Sequence, residues 1–239
     1  MAARGSLERP RRPDPGPVSD AHLGGTVGTG RYWLSYPATM AEAPGPTLST
    51  DRLVLRRWLE RDLAPFAAMN ADPEVMRYFT RPLGADESDA MVGRIESRFD
   101  EHGYGLWAVE RRADQAFLGF TGLATTESLG FVGPAAALLG PPPIPEAEIG
   151  WRFARFAWGQ GYATEAARAA LRFGFDSAGM HQVVSLTSTL NLRSMRVMER
   201  IGLHRDPAED FDHPRIPEGS PIRRHVLYRL TGAEFRDLP

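Results

Sequence analysis

The 239-residue sequence contains no cysteine and no lysine. Without cysteine, disulfide bonds, a thiolate nucleophile and cysteine metal ligands are excluded. Without lysine, all 28 basic residues are arginine, and a phosphate-binding loop of the Gly-Lys-Ser/Thr type is excluded. The six histidines lack the spacing of metal ligands, so we expect no metal site.

Long apolar runs and a large excess of charge are also missing. No apolar run reaches the roughly 18 residues needed to span a membrane, and the net charge of −2 gives no basic footprint for nucleic acid. With 42% apolar residues, the chain can bury a sizeable core. We therefore expect a cytoplasmic domain that has neither a membrane nor a nucleic acid as a partner.

Two segments of low complexity divide the chain. Residues 1–39 are rich in arginine, proline and glycine and have no hydrophobic periodicity, which predicts a disordered leader before a single domain at 40–239. Our hypothesis is that Met40 is the native start; a native disordered arm is the alternative. The glycine- and proline-rich residues 129–145 predict a long loop that either covers a substrate site as a lid or is simply exposed to solvent.

The most informative segment is residues 158–165, Trp-Gly-Gln-Gly-Tyr-Ala-Thr-Glu, which follows a predicted strand at 148–153. A predicted helix at 163–178 comes next, because small residues recur at helical spacing. Gly159 and Gly161 tolerate positive φ, so several backbone N–H groups can converge at the helix N-terminus. Such a place binds phosphate, and the segment predicts a diphosphate cradle.

Three ligands have cradles of this kind. The lysine-dependent phosphate loop is excluded. A dinucleotide fingerprint needs a small residue where Thr164 stands and an acidic residue about 20 positions later, and it matches poorly on both counts. The third ligand is coenzyme A.

The segment resembles the acyl-CoA signature of the GNAT acetyltransferases, with Phe156 departing from it at the first position. The sequence of this segment is most similar to that found in the subgroup of ribosomal-protein and N-terminal (RimJ/RimL-like) acetyltransferases. The resemblance implies acetyl-CoA as co-substrate and an amine acceptor, either a protein N-terminus or a small molecule; it also allows a homodimer. The residues that it implies for the cofactor are Phe153, Trp158, Gly159, Gln160, Gly161, Ala163, Thr164, Asn191 and Ser194.

A second motif lies at residues 191–203. Asn191 is a suitable helix N-cap, and Gly202 is suited to close the helix. The segment resembles the second GNAT motif, in which the Asn and Ser side chains face the coenzyme. Many members of the family have a tyrosine where Met198 stands, as the proton donor to the leaving thiolate. Ser194 is our catalytic candidate for that donor, and a water is the alternative.

The pattern of the whole chain predicts an α/β fold of the α+β type. The resemblance implies a single domain with one mixed, mostly antiparallel central sheet flanked by helices, not a doubly wound sheet. The expected order is β, helices, β, β, β, α, β, α, β, β. The expected details are a first strand at 48–56, short helices that begin at Asp62 and Asp72, a helix from 91 to about 103, and strands at 106–110, 117–123, 181–189 and 225–231.

The expected chemistry needs a base, because an amine is protonated at neutral pH and must lose a proton before it attacks a thioester. Glu148 is the catalytic candidate, with a solvent-facing strand-edge charge as its alternative role and Glu146 in reserve. Backbone N–H groups around Phe153 would hold the thioester carbonyl. On the sequence alone, we expect Glu148→Gln to reduce turnover most at low pH.

The acceptor site is less well marked. Asp210, Asp212 and His213 are candidate ligands for a cationic amine, and Trp107 is a candidate aromatic wall. The alternative is a solvated loop shaped by its prolines, and Arg223 and Arg224 could instead meet phosphate or carboxylate. Three functions follow: an acetyl-CoA-dependent N-acetyltransferase first, a non-catalytic acyl-CoA-sensing module second, and a nucleotide-dependent oxidoreductase third.

Overall fold

The computed structural model describes residues 45–126 and 147–238. Within these ranges the chain forms one mixed, mostly antiparallel sheet of nine strands with five α-helices around it. This arrangement confirms the predicted fold class. The predictions for the leader at 1–39, the start at Met40, the reserve base Glu146 and the loop at 129–145 lie outside the described residues.

The elements follow the predicted order with two additional short strands, because the first strand is divided into two and one more strand lies near the C-terminus. In chain order they are β1 (Leu48–Ser49), β2 (Leu53–Arg56), α1 (Glu60–Ala71), α2 (Ala85–His102), β3 (Leu106–Arg111), β4 (Phe117–Thr125), β5 (Ala147–Phe153), α3 (Tyr162–Arg172), β6 (Gln182–Ser188), α4 (Leu192–Arg200), β7 (His204–Arg205), β8 (Phe211–Asp212), β9 (Arg224–Thr231) and α5 (Gly232–Arg236).

The strands lie in the sheet in the order β1–β2–β3–β4–β5–β6–β9–β7, and β8 also pairs with β9. Every pair is antiparallel except β5 with β6, which is parallel because α3 crosses over between them. The parallel pair stands near the middle of the sheet. It therefore separates an N-terminal meander from a C-terminal set of strands.

Three local predictions were wrong. The expected first strand is a tight pair, β1 and β2, in which Leu48 pairs with Leu55. Asp62 does not cap α1 but lies in its first turn, where its carboxylate accepts from the Leu59 N–H at 2.8 Å and from Arg56 at 2.7 Å. No helix begins at Asp72, because its carboxylate accepts from the Glu74 N–H at 2.8 Å and forms a turn instead.

The helix after the glycine turn matches its prediction in position and packing. Ala166, Ala167 and Ala170 are fully buried, as the small-residue pattern predicted. The α-helix ends at Arg172, and its last turn continues as a π-helix at Phe173–Ser177. Small side chains let this helix pack closely on β4 and β5.

The second motif also folds as its caps predicted. The Asn191 side chain accepts from the Ser194 N–H at the start of α4. At the other end, Gly202 has φ 93°, and the Leu203 N–H donates to the Met198 carbonyl at 3.0 Å. This is a Schellman closure, which fixes the length of α4.

The parallel pairing of β5 with β6 covers only a small part of either strand. β5 and β6 each have seven residues, but only Ala147 with Val183 and Glu148 with Val184 are paired. Beyond them the Ser185 hydroxyl still donates to the Ile149 carbonyl at 2.8 Å. The two strands then diverge, and the sheet is open from Gly150 onward.

Strand β4 holds the diverging end of β5 in place through a glycine contact. A Cβ on Gly119 would lie 2.1 Å from the Arg152 carbonyl oxygen, and Gly119 has φ 142°. Neither the space nor the backbone conformation accepts a side chain there. Gly150, on β5, is a matched contrast, since a Cβ there would meet nothing within 4 Å.

We expect Gly119→Ala to lower the free energy of unfolding by about 1–3 kcal/mol or more, because the methyl group overlaps backbone of the neighbouring strand. Gly150→Ala is the control and should change the free energy of unfolding by under about 0.5 kcal/mol. Urea denaturation of the two variants and the parent chain measures both. Equal losses in the two variants would contradict the close approach of β4 to β5.

Candidate functional site

A cleft of about 1510 Å³ opens where β5 and β6 diverge. Its lining comes from β5, the glycine turn, α4 and the α1–α2 region. The predicted site residues that line it are Glu148, Phe153, Trp158, Gly159, Gly161, Ala163, Thr164, Asn191, Ser194 and His213.

One wall of the cleft is exposed backbone of β5. The Ala154 N–H donates to the Leu118 carbonyl of the β4 side at 2.9 Å. Because N–H directions alternate along a strand, the N–H groups of Trp151 and Phe153 point the other way, toward the gap. A sheet edge inside a cleft can pair with an extended ligand as it would with another strand.

The glycine turn forms the end of the cleft. Gly159 and Gly161 have φ 76° and 81°, and Gly161 is the N-cap of α3. Nothing lies within 4 Å of the place where a Cβ on Gly159 would be. The Trp158 indole donates to the Phe153 carbonyl at 2.7 Å and holds the turn against β5. The turn therefore has the open space and the helix N-terminus that a diphosphate needs.

Two residues brace this turn, and the sequence reasoning did not assign either a role. Arg52 Nη1 donates to the Gln160 carbonyl at 3.0 Å, and Arg52 Nε donates to Glu165 at 2.6 Å. Thr50 Oγ1 also donates to Glu165, at 2.6 Å. Arg52 and Glu165 thus connect the turn and the first turn of α3 to the β1–β2 hairpin. Gln160 contributes its carbonyl to this brace and does not line the cleft.

The start of α4 forms the opposite wall. Asn191 Nδ2 donates to Ser194 Oγ at 3.0 Å and to Thr187 Oγ1 at 3.0 Å. Because Ser194 Oγ accepts in this bond, its own hydrogen is left to donate toward the cleft. Arg193 lies over the Trp158 ring at 4.8 Å and links this wall to the glycine turn.

Glu148 stands on the floor of the cleft, at the last paired position of β5. Its side chain keeps partial access to the cleft, but the surrounding protein desolvates the carboxylate and raises its pKa to about 8. A hydrogen bond from the Leu186 backbone opposes this effect only in part. A carboxyl group with a pKa close to the working pH can both accept and release a proton.

The four acceptor predictions have different outcomes. Trp107 is fully buried, its indole donates to the Pro46 carbonyl at 2.8 Å, and it packs edge-on to Phe99, so it is a core residue and not an aromatic wall. Asp210 accepts from Arg205 Nε at 2.9 Å and does not line the cleft.

Asp212 lies outside the cleft as well and pairs with Arg224 at 3.4 Å and Arg223 at 3.6 Å. These pairs also occupy the two arginines that could have met an anion. Only His213 of the four lines the cleft. Burial and the neighbouring charges of His225 and Arg215 lower its pKa to about 4, so His213 is neutral near pH 7.

Two further expectations concern absent features. Among the residues that the structure describes, no cluster of His, Asp and Glu side chains is arranged to hold a metal ion. No helix in the same residues combines the length and apolar character needed to cross a membrane.

Comparison with known proteins identifies relatives of this fold and site. The family model for the acetyltransferase (GNAT) domain matches residues 52–204. The protein YkkB of Bacillus subtilis is 34% identical over 158 residues, which cover 66% of this chain and 84% of YkkB. The FsC-acetyl coenzyme A-N(2)-transacetylase of Aspergillus fumigatus is 31% identical over 206 residues, which cover 80% of this chain and 78% of that protein.

A solved structure supports the fold. RimJ of Mycobacterium smegmatis in complex with CoA-disulfide superposes with a TM-score of 0.59 at 17% identity, covering 76% of this chain and 83% of RimJ. Both the curated relatives and the solved structure extend over most of the domain described above.

The raised pKa of Glu148 generates a prediction about stability. The pKa of Glu148 moves from an ordinary value of 4.5 to about 8 on folding. Because the folded protein favours the neutral carboxyl, the free energy of unfolding is highest at low pH and falls as the pH rises toward 8. A glutamine cannot ionise. We therefore expect the stability of Glu148→Gln relative to the parent chain to increase from pH 5 to pH 8, measured by thermal unfolding. A difference that is constant with pH would contradict the buried, raised carboxyl.

Proposed function

The chain belongs to the acetyltransferase (GNAT) family, and from this membership we propose that it transfers an acetyl group from acetyl-CoA directly to a primary amine. The acceptor is a protein N-terminus or a small amine. The observation that carries the proposal is Glu148, a carboxyl group with a pKa of about 8 on the floor of a cleft whose wall is open strand backbone.

The residues present fit acetyl-CoA. The diphosphate would lie on the turn of Gly159 and Gly161, whose N–H groups and open space suit two phosphates. The amide groups of the pantetheine arm would pair with the backbone of Trp151 and Phe153, which the divergence of β6 leaves without a neighbouring strand. The name of the Aspergillus relative and the coenzyme in the RimJ structure are in agreement with this assignment.

When bound, acetyl-CoA supplies a thioester whose carbonyl carbon accepts the amine. Glu148 would take the proton of the attacking amine, directly or through a water. The backbone N–H groups around Phe153 would donate to the carbonyl oxygen as its negative charge develops. Ser194 would donate its hydroxyl hydrogen toward the leaving sulfur, since Asn191 occupies the oxygen of that hydroxyl as a donor.

The raised pKa of Glu148 reverses the pH dependence expected from the sequence alone. Below pH 8 the carboxyl is increasingly protonated and cannot accept a proton. The base is therefore most effective at and above its pKa, where the loss caused by its removal should be largest, not at low pH.

A second candidate function is a non-catalytic acyl-CoA-binding module. The observation that favours it is Met198, which is almost completely buried at the position where the family resemblance implies a proton-donating tyrosine. Calorimetric titration with acetyl-CoA, followed by a screen of amines for CoA release, separates the two. Micromolar binding without release by any amine supports the module, and amine-dependent release supports the enzyme.

We expect Glu148→Gln to lower kcat/KM about 100-fold or more at pH 8.5 and progressively less toward pH 6, because glutamine cannot accept the proton. The measurement is CoA release over pH 6–9.5 with an amine whose own pKa lies well away from 8. The acetyl-CoA dissociation constant serves as the control and should change little. A rate and a pH profile that match those of the parent chain would dismiss Glu148 as the base.

We expect Arg52→Met to weaken acetyl-CoA binding about three- to tenfold, because the Gln160 carbonyl and the turn that it belongs to lose their restraint. Arg112→Met is the matched control: Arg112 is exposed and donates to the Thr50 carbonyl at 2.9 Å without contacting the turn. Calorimetry measures both dissociation constants. An unchanged constant in Arg52→Met, or the same increase in the control, would rule out the brace.

A further inference from the structure

Arg152 is a cleft-lining cation to which the sequence reasoning gave no role. It lies on β5, and its guanidinium is between two aromatic rings, 4.2 Å from the centre of Phe79 and 5.4 Å from that of Phe120. Nη1 donates to Asn70 Oδ1 at 2.6 Å, whereas Nε is buried and has no hydrogen-bond partner. The guanidinium is thus held in place by neutral groups, and its Nε–Nη2 edge is not used by Asn70.

Arg152 also has no counter-ion in the described part of the chain, since no carboxylate there lies within ion-pair distance of it. Burial lowers its pKa to about 10, and no neighbouring negative charge opposes this effect. A buried cation without a partner is unfavourable, because it loses hydration and gains no ion pair. An anionic group of a bound molecule would supply the missing partner.

The floor of β5 relates Arg152 to the proposed base. Glu148, Gly150 and Arg152 alternate along the strand, so their side-chain positions share one face of the sheet. Gly150 leaves the middle of this floor bare, and nothing lies within 4 Å of its Cβ position. Glu148 and Arg152 are about 13 Å apart along the strand at the backbone. Neither charge perturbs the pKa of the other.

The other charged residues that line the cleft also favour an anionic ligand. Eight arginines and three glutamates line its described part. Asp210 and Asp212, the carboxylates expected to attract a cationic amine, are paired with arginines outside the cleft. Among the described residues that line the cleft, Glu148 is therefore the desolvated carboxyl, and Arg152 is a desolvated guanidinium without an ion pair.

We propose that Arg152 binds a carboxylate of the acceptor, so that the substrate of this enzyme is an amine that also carries a carboxylate less than about 13 Å from the nitrogen. The proposal rests on the acetyltransferase function above and specifies its substrate class. Nη2, the guanidinium nitrogen that neither donates to Asn70 nor is enclosed, can donate to a carboxylate oxygen, and the two ring contacts hold the guanidinium in position. The amine end of the same molecule then extends over Gly150 toward Glu148.

The competing explanation is structural: Arg152 would only tie β5 to α1 through Asn70. Asn70 is fully buried and also donates to Ser88 Oγ at 3.0 Å, so it has a second partner within the helices. Both roles predict a loss of stability in Arg152→Met, because the buried Asn70 Oδ1 loses its donor. Only a role in substrate binding predicts that the variant loses the discrimination between acceptors with and without a carboxylate.

The test compares acceptors that differ only in the anion. The probes are linear amino acids with one to six methylene groups between amine and carboxylate, each with its terminal amide. We expect the parent enzyme to prefer the carboxylate member at the best length by about tenfold or more in kcat/KM. Arg152→Met should abolish that preference by raising KM for the carboxylate and should leave the rate with the amide unchanged.

Two variants accompany it. Arg152→Lys keeps the charge but replaces the planar guanidinium by an ammonium group, and it should retain only part of the preference. Arg172→Met removes an exposed arginine of α3 outside the cleft and should retain all of it. Equal losses with carboxylate and amide in Arg152→Met, or a preference of the parent enzyme for amides, would overturn the proposal.

A binding measurement keeps this proposal separate from the proposed function. Pentanoate and pentanamide have no amine and cannot be acetylated. We expect pentanoate, but not pentanamide, to raise the melting temperature of the parent protein and to have no effect on Arg152→Met. If no amine is acetylated while pentanoate behaves in this way, the transferase function fails and the carboxylate site stands. If amines are acetylated and pentanoate has no effect, only the carboxylate site fails.

Discussion

The short pairing of β5 with β6 is the constraint on which the rest of the site depends. A parallel pair normally continues along both strands, because unpaired backbone in a protein interior is costly. Here it stops after Glu148 and Val184. The Ser185 hydroxyl and the Leu186 N–H still connect the strands just beyond that point, through the Ile149 carbonyl and the Glu148 carboxyl. These contacts satisfy the polar groups at the end of the pairing, and they hold the Glu148 carboxyl at the point where the two strands separate.

Each other part of the cleft has a defined position relative to this opening. α3 crosses over between the diverging strands, so its N-terminus and the glycine turn must lie at the open end of the sheet. Arg52 and Glu165 hold that turn from the β1–β2 hairpin, which lies at the far edge of the sheet. The cradle is therefore supported by a part of the chain more than 100 residues away in sequence.

The sequence predicted most of the fold because its signals were local. The caps of α4 and the alanine pattern of α3 depend only on near neighbours, and both were found where expected. The failures depend on side-chain contacts that residue spacing does not reveal. Asp62 reads as a helix cap until Arg56 and the Leu59 N–H are known to bind it, and Trp107 reads as a surface aromatic until Phe99 and Phe173 are seen to enclose it. The Arg52 brace had a partial signal, since Glu165 lies within the glycine motif, but its partner could not be found from spacing.

The two ionisable residues on the floor of the cleft, Glu148 and Arg152, are best explained together. Glu148 is a carboxyl that its surroundings keep largely neutral near pH 7, and Arg152 is a half-buried, desolvated cation with no counter-ion among the described residues. Two such groups would relieve each other if they met, yet Gly150 keeps them apart on the same face. A molecule with an amine at one end and a carboxylate at the other offers a partner to each group, because a bound ammonium favours the ionised form of Glu148 and the carboxylate is the anion that Arg152 lacks. The separation that is unfavourable in the free protein is thus the feature that would select the substrate.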